Sequence, residues 1–224
     1  MTLPEFDIAP YRLSGVVIGC VMNHAPALAA LGEAAQLPPY KSRPRAPVLY
    51  VKPRNTLCSD GAMVRIPAGV PALELGAALG LVVGRTACRV RERQALSYLA
   101  GGIIVADLSV PHDSYYRPSV RMKARDGFCP LGPRLAPLAN PDALAVRVYI
   151  DDELVHETST GRRIHHAANL VSEVSDFMTL SPGDVLMLGV SFGAPRVQAG
   201  QSAAVEIDGL GRLHIGFIAE ESLA

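Results

Sequence analysis

The chain has 224 residues, with 21 acidic and 21 basic side chains and therefore no formal net charge. That length closes one sizeable hydrophobic core, and the balanced charge argues against a general nucleic-acid or acidic-membrane binder, which relies on surplus Lys and Arg. No apolar run approaches the roughly 20 residues of a membrane span, and the start MTLPEFDIAPYRL has no basic n-region, so a cytoplasmic protein is expected.

Along the chain, GVVIGCVMN (15–23) reads as a buried strand and the alanine-rich 25–36 as a helix. Prolines at 38, 39, 44 and 47 forbid regular helix until VLYVKP (48–53), a strand that Pro53 ends. LGAALGLVVG (75–84) is an interior strand by composition, VRERQALSYLAG (90–101) has helical spacing with a glycine stop, and GIIVADLSV (102–110) is a further strand interrupted by Asp107. LAVRVYIDDELVHETS (144–159) reads as a hairpin turning at Asp151 and Asp152, and 162–178 as an amphipathic helix. SPGD (181–184) turns into VLMLGV, and 202–220 closes the chain as a hairpin around Gly209 and Gly211. Strands dominate, which predicts a β-rich α+β protein: one domain, 1–224, with 1–45 as a small N-terminal appendage and 46–224 as the core.

The residues 115–133, YYRPSVRMKARDGFCPLGP, carry the clearest chemical signal. In an extended chain Arg117, Arg121, Lys123 and Arg125 share one face, so their charges require either the protein's own carboxylates or a bound anion. Lys123, flanked there by two arginines, would have its ammonium form disfavoured and could carry protons. Asp107, inside an apolar strand, needs a cation: an arginine partner, a metal, or a catalytic role. Only three lysines occur, at 41, 52 and 123, against eighteen arginines, and Lys differs from Arg in being able to release its proton. His24, at a strand end, is equally open to packing and to function, whereas His165 and His166, about 100° apart on a helix, cannot chelate one ion and read as surface residues. The cysteines at 20, 58, 88 and 129 form no C-x-x-C pair and read as buried free thiols; nucleophile-elbow, Walker and Rossmann motifs are missing.

Together with VLYVKPRNT (48–56), LVVGRTACRVRERQALSYLAGGIIVADLS (81–109), FMTLSPGDVLMLG (177–189) and VEIDGLGRLHIGFIAEE (205–221), the cationic stretch resembles the fumarylacetoacetate hydrolase family, in its isomerase/decarboxylase branch of aromatic catabolism. The resemblance implies a mixed β-roll with few peripheral helices, pairing with a second copy or a homologous subunit, and magnesium or manganese as cofactor. It implies small polycarboxylate substrates of the 2-oxo-ene type. Lys123 and Asp107 then take catalytic positions, Asp107 also that of a metal ligand, and Tyr116, Arg117 and Arg121 fall in the block that binds substrate carboxylates. The other two metal ligands of the family form a Glu-x-Glu pair, whose positions here read Gly76 and Ala78, and the family's threonine-proline loop reads GVSFGAPR. Three functions follow as expectations: the isomerase/decarboxylase itself, a catalytically silent partner of a metal-bearing homologue, and an acylpyruvate-type hydrolase.

Overall fold

The structure, a computed structural model, describes residues 3–112 and 119–221. In chain order the strands are β1 (Val17–Val21), β2 (Val48–Lys52), β3 (Leu57–Cys58), β4 (Ala62–Ile66), β5 (Leu73–Val83), β6 (Leu99–Ser109), β7 (Cys129–Pro130), β8 (Ala145–Ile150), β9 (Glu153–Ser159), β10 (Val185–Met187), β11 (Arg196–Val197), β12 (Ser202–Ile207) and β13 (Gly211–Ala219). The α-helices are α1 (Ala25–Ala30), α2 (Glu92–Ala95), α3 (Val120–Lys123) and α4 (Ala167–Phe177). None is long and apolar enough to cross a membrane.

One sheet runs β11-β5-β10-β1-β2, with β6 pairing β5; a second runs β4-β13-β12-β8-β9; β3 and β7 form a small third pair. The long antiparallel β5–β6 ladder organises the core, because both strands are apolar on both faces and bury nearly every residue. Alternate β5 side chains divide between two clusters. Leu73, Leu75, Leu79 and Leu81 enter the larger, which includes inward residues of the second sheet and of α4. Ala78 and Val82 enter the smaller, with Ile103 and Val105 of β6. Asp107 and Gly76 lie in phase with this second set, so Asp107 is aimed away from the main core.

The β-rich architecture is the expected one, and the 144–159 hairpin turns where predicted: Asp151 and Asp152 adopt φ of 49° and 65°, both left-handed, as a two-residue hairpin loop demands. Three expectations are corrected. The 90–101 helix shrinks to α2 and a 3-10 turn, because β6 begins at Leu99 to pair with β5 and outcompetes the helical spacing. The 25–36 helix breaks at Gly32 into α1 and a 3-10 segment. The division at residue 45 is not seen in the sheet, since β1, from the expected appendage, lies between β10 and β2. Cys20, Cys58 and Cys129 are buried free thiols, whereas Cys88 is exposed.

Candidate active site

Tyr50 and Lys52 stand two residues apart on β2 and so share a face. Both reach Asp107 on β6. The Tyr50 hydroxyl donates to Asp107 Oδ2 at 2.5 Å, and Lys123 Nζ, from α3, donates to the same oxygen at 2.7 Å. Lys123 also lies over the Tyr50 ring, 5.2 Å from its centroid. Lys52 Nζ approaches Asp107 Oδ1 at 2.8 Å while donating its three hydrogens to the carbonyls of Leu108, Lys123 and Phe128, at 3.0, 2.8 and 2.8 Å. Those three bonds tie β6, α3 and the approach to β7 onto β2. Oδ1 therefore receives the charge of Lys52 without an aligned hydrogen.

Burial alone would raise the Asp107 acid, but the two ammonium groups overcome it and hold the carboxyl well below the usual carboxylate range. Burial and the Asp107 charge push the Tyr50 hydroxyl far up, so it remains a proton donor. The side chains of Lys52 and Asp107 are 0% and 1% exposed, against 11% for Lys123, so Lys123 is the member of this trio that solvent can reach.

Directly opposite Asp107 in the β5–β6 ladder stands Gly76. A Cβ on Gly76 would come within 2.7 and 2.8 Å of the two methyl carbons of Val190 and 2.9 Å from the Asp107 carbonyl oxygen. Val190 thus packs into the space that a longer side chain at 76 would need. Ala78, two residues on, is fully buried among apolar neighbours.

Residues 16–217 match the fumarylacetoacetate (FAA) hydrolase C-terminal family. The chain belongs to the fumarylacetoacetate hydrolase family. It is 38% identical over 197 residues to the 4-hydroxyphenylacetate degradation bifunctional isomerase/decarboxylase of Escherichia coli, covering 88% of this chain and 46% of that protein. It spans about half the length of the curated relatives of this kind that it matches. Among solved structures, the 5-carboxymethyl-2-hydroxymuconate delta-isomerase from Mycobacterium smegmatis superposes with a TM-score of 0.80 at 25% identity, covering 93% of this chain and 78% of that one. A fumarylpyruvate hydrolase from Pseudomonas aeruginosa, in complex with Mn2+ and pyruvate, shares the fold with a TM-score of 0.75 at 24% identity, over 92% and 89% of the two chains.

The residues at the family's metal position do not fit a divalent ion in this chain. A hard cation takes six or more oxygen ligands, and here Asp107 is already engaged by two ammonium groups, Val190 fills the approach to Gly76, and Ala78 offers no donor. No group of three or more His, Cys, Asp or Glu side chains placed to hold a metal occurs among the described residues.

The remaining sequence expectations divide. Asp107 and Lys123 do come together, with Asp107 paired to lysines rather than to an arginine. The shared cationic face does not form, because residues 120–123 are helical: Arg121 and Lys123 then point about 200° apart, Arg121 into solvent and Lys123 inward. Lys123 is accordingly flanked by Asp107, not by arginines. Arg125 lines a neighbouring cleft of about 540 Å³, where Arg65 adds charge and Asp126 and Glu220 balance both. Tyr116 and Arg117 lie outside the described residues. Lys52 and Tyr50 went unrecognised, although the rarity of lysine already marked position 52. His165 and His166 precede α4 rather than riding on it, and His165 contacts Glu173 at 3.1 Å.

Proposed function

We propose that this chain is a half or subunit of an isomerase/decarboxylase of 4-hydroxyphenylacetate breakdown. Its reactions would be decarboxylation of 5-oxopent-3-ene-1,2,5-tricarboxylate, isomerisation of 2-hydroxyhepta-2,4-dienedioate, or both. The observation that carries the reading is Lys123: a proton donor fixed on a buried carboxylate, its own side chain 11% exposed, in a chain whose curated relatives are named for this chemistry. Isomerisation removes a proton from the 2-hydroxyl of the dienol and adds one at C5. Lys123 would deliver the proton to carbon and its amine would recover the hydroxyl proton, while Asp107 holds the side chain in place and Tyr50 keeps one oxygen of Asp107 occupied. In decarboxylation the departing carbon dioxide leaves its bonding electrons in the conjugated system, and the Lys123 ammonium would stabilise the resulting dienolate. Tyr116 and Arg117 are proposed to meet the substrate's carboxylates, Arg121 being turned into solvent on the side away from Lys123, and the chain is proposed to pair with a second copy or a homologous subunit.

A second reading, a non-catalytic half that supports a metal-bearing homologue, is favoured by Val190 in the space before Gly76. An acylpyruvate-type hydrolase is disfavoured by the same packing. Following dienol absorbance, the purified chain is expected to turn over the dienoate alone and to lose that turnover in Lys123→Ala. Turnover only after a homologous Glu-x-Glu subunit is added, unaffected by Lys123→Ala, would replace the first reading with the second.

A further inference from the structure

A separate polar cluster lies beyond Val190, where the end of β1, the segment before α4 and the loop after β10 meet. His24 and Arg163 form an isolated antiparallel bridge, so their side chains project to the same side as direct cross-strand neighbours. Arg163 is 4% exposed, and its guanidinium makes one described bond, from Nη2 to Ser191 Oγ at 3.2 Å. Nε and Nη1 are buried with no partner, and no carboxylate pairs with the group among the described residues. Since Ser191 uses only one Nη2 hydrogen, a complete two-donor edge of the guanidinium is left over.

His24 adds another donor. Its Nδ1 accepts the Phe192 backbone N–H at 2.9 Å, which assigns the ring proton to Nε2, and Nε2 is buried without a partner. Burial, and then the charge of Arg163, press the imidazole down to about 4, so it adds a neutral N–H rather than a second charge. His156 Nε2 is a fourth buried nitrogen lacking a partner, and His156 lines with Ser191 and Val190 a crevice too tight for a water molecule. A buried cation surrounded by unused donors and without a counter-charge is a costly arrangement unless an acceptor completes it.

We propose that Arg163, His24 and Ser191 form a receptor for a single carboxylate group. The free guanidinium edge matches a carboxylate's two oxygens side by side, which a spherical halide cannot use. The loop 190–192 closes over the site between Gly189 and Gly193, both at positive φ (101° and 80°), and glycine ends are suited to the backbone adjustment that entry requires. Ser191 directly follows Val190, the residue packed against Gly76, and none of the three receptor residues bonds to Asp107.

The test is thermal unfolding of the full chain at constant ionic strength with sodium formate or oxalate in one arm and sodium bromide in the other. A saturable rise in Tm with the carboxylates and none with bromide is expected. Arg163→Met should abolish the rise without lowering the ligand-free Tm, since it removes an unpaired buried charge, and Ser191→Ala should weaken half-saturation by about tenfold. Should the Arg163 variant not fold, histidine-selective NMR of the wild-type chain decides: saturable formate shifts of the His24 resonances support the site. Absence of those shifts, an equal response to bromide, or a formate response that survives Arg163→Met would overturn it.

Discussion

Gly76 faces Asp107 across the β5–β6 ladder, and the missing Cβ at 76 is what lets Val190 pack against the strand. The two positions are therefore coupled through a third. Gly76→Ala should destabilise by about 1–3 kcal/mol through overpacking, and Val190→Ala in the same chain should recover most of that loss although it costs stability alone. A double-mutant cycle in urea reads the coupling; additive effects would show that Val190 does not occupy the space.

Lys52 and Lys123 share one carboxylate but are not equivalent. Lys52→Met takes a donor from three buried carbonyls, that of Phe128 still accepting the Leu108 N–H, and should cost about 3–5 kcal/mol, as breaking a buried ion pair does. Lys123→Met, which leaves Lys52 on Asp107, should cost less. Equilibrium denaturation of both variants checks the order.

His24 is pressed down to about 4 by burial and by Arg163, Arg162 and His156 around it. Its folded value thus lies below its unfolded one. As pH falls from about 6.5 to 4 the unfolded chain takes up a proton that the folded chain refuses, so stability declines across that window. His24→Gln should flatten this part of the stability profile, and NMR titration should place the wild-type imidazole near the bottom of the window.

Divalent ions should leave the isolated chain unchanged. Saturating Mn2+ or Mg2+, or prior treatment with EDTA, is expected to move Tm by no more than about 1 °C, because a specific ligand present far above its Kd would raise stability measurably. A saturable Mn2+ shift that disappears in Asp107→Asn would show that the carboxylate can exchange its lysines for an ion.

Much of the fold was legible in the sequence, because buried strands announce themselves as apolar runs and the Asp151–Asp152 turn has its own chemistry. Residues 120–125 misled because charged and apolar residues alternate there. That alternation says strand only where a ladder partner exists, and α3 has none, so one helical turn sends Arg121 and Lys123 to opposite sides. The site was half legible. Asp107 stands out in the sequence as a charge in an apolar strand and Lys123 as a candidate proton carrier, yet Lys52 reads as an ordinary residue before Pro53. Its burial depends on carbonyls 56 to 76 residues away, which no local pattern reports. Arg163 is hidden in the same way, because the sequence places it at the polar start of the 162–178 helix, whereas α4 begins four residues later at Ala167.

Lys52 holds four oxygens within 3.0 Å of one nitrogen, an inner sphere of the sort usually associated with a captured ion. Here the central cation is tethered to the backbone by its own covalent stem. It cannot be stripped by a chelator or displaced by a competitor, so this corner of the molecule is assembled by translation alone and owes nothing to the supply of trace elements.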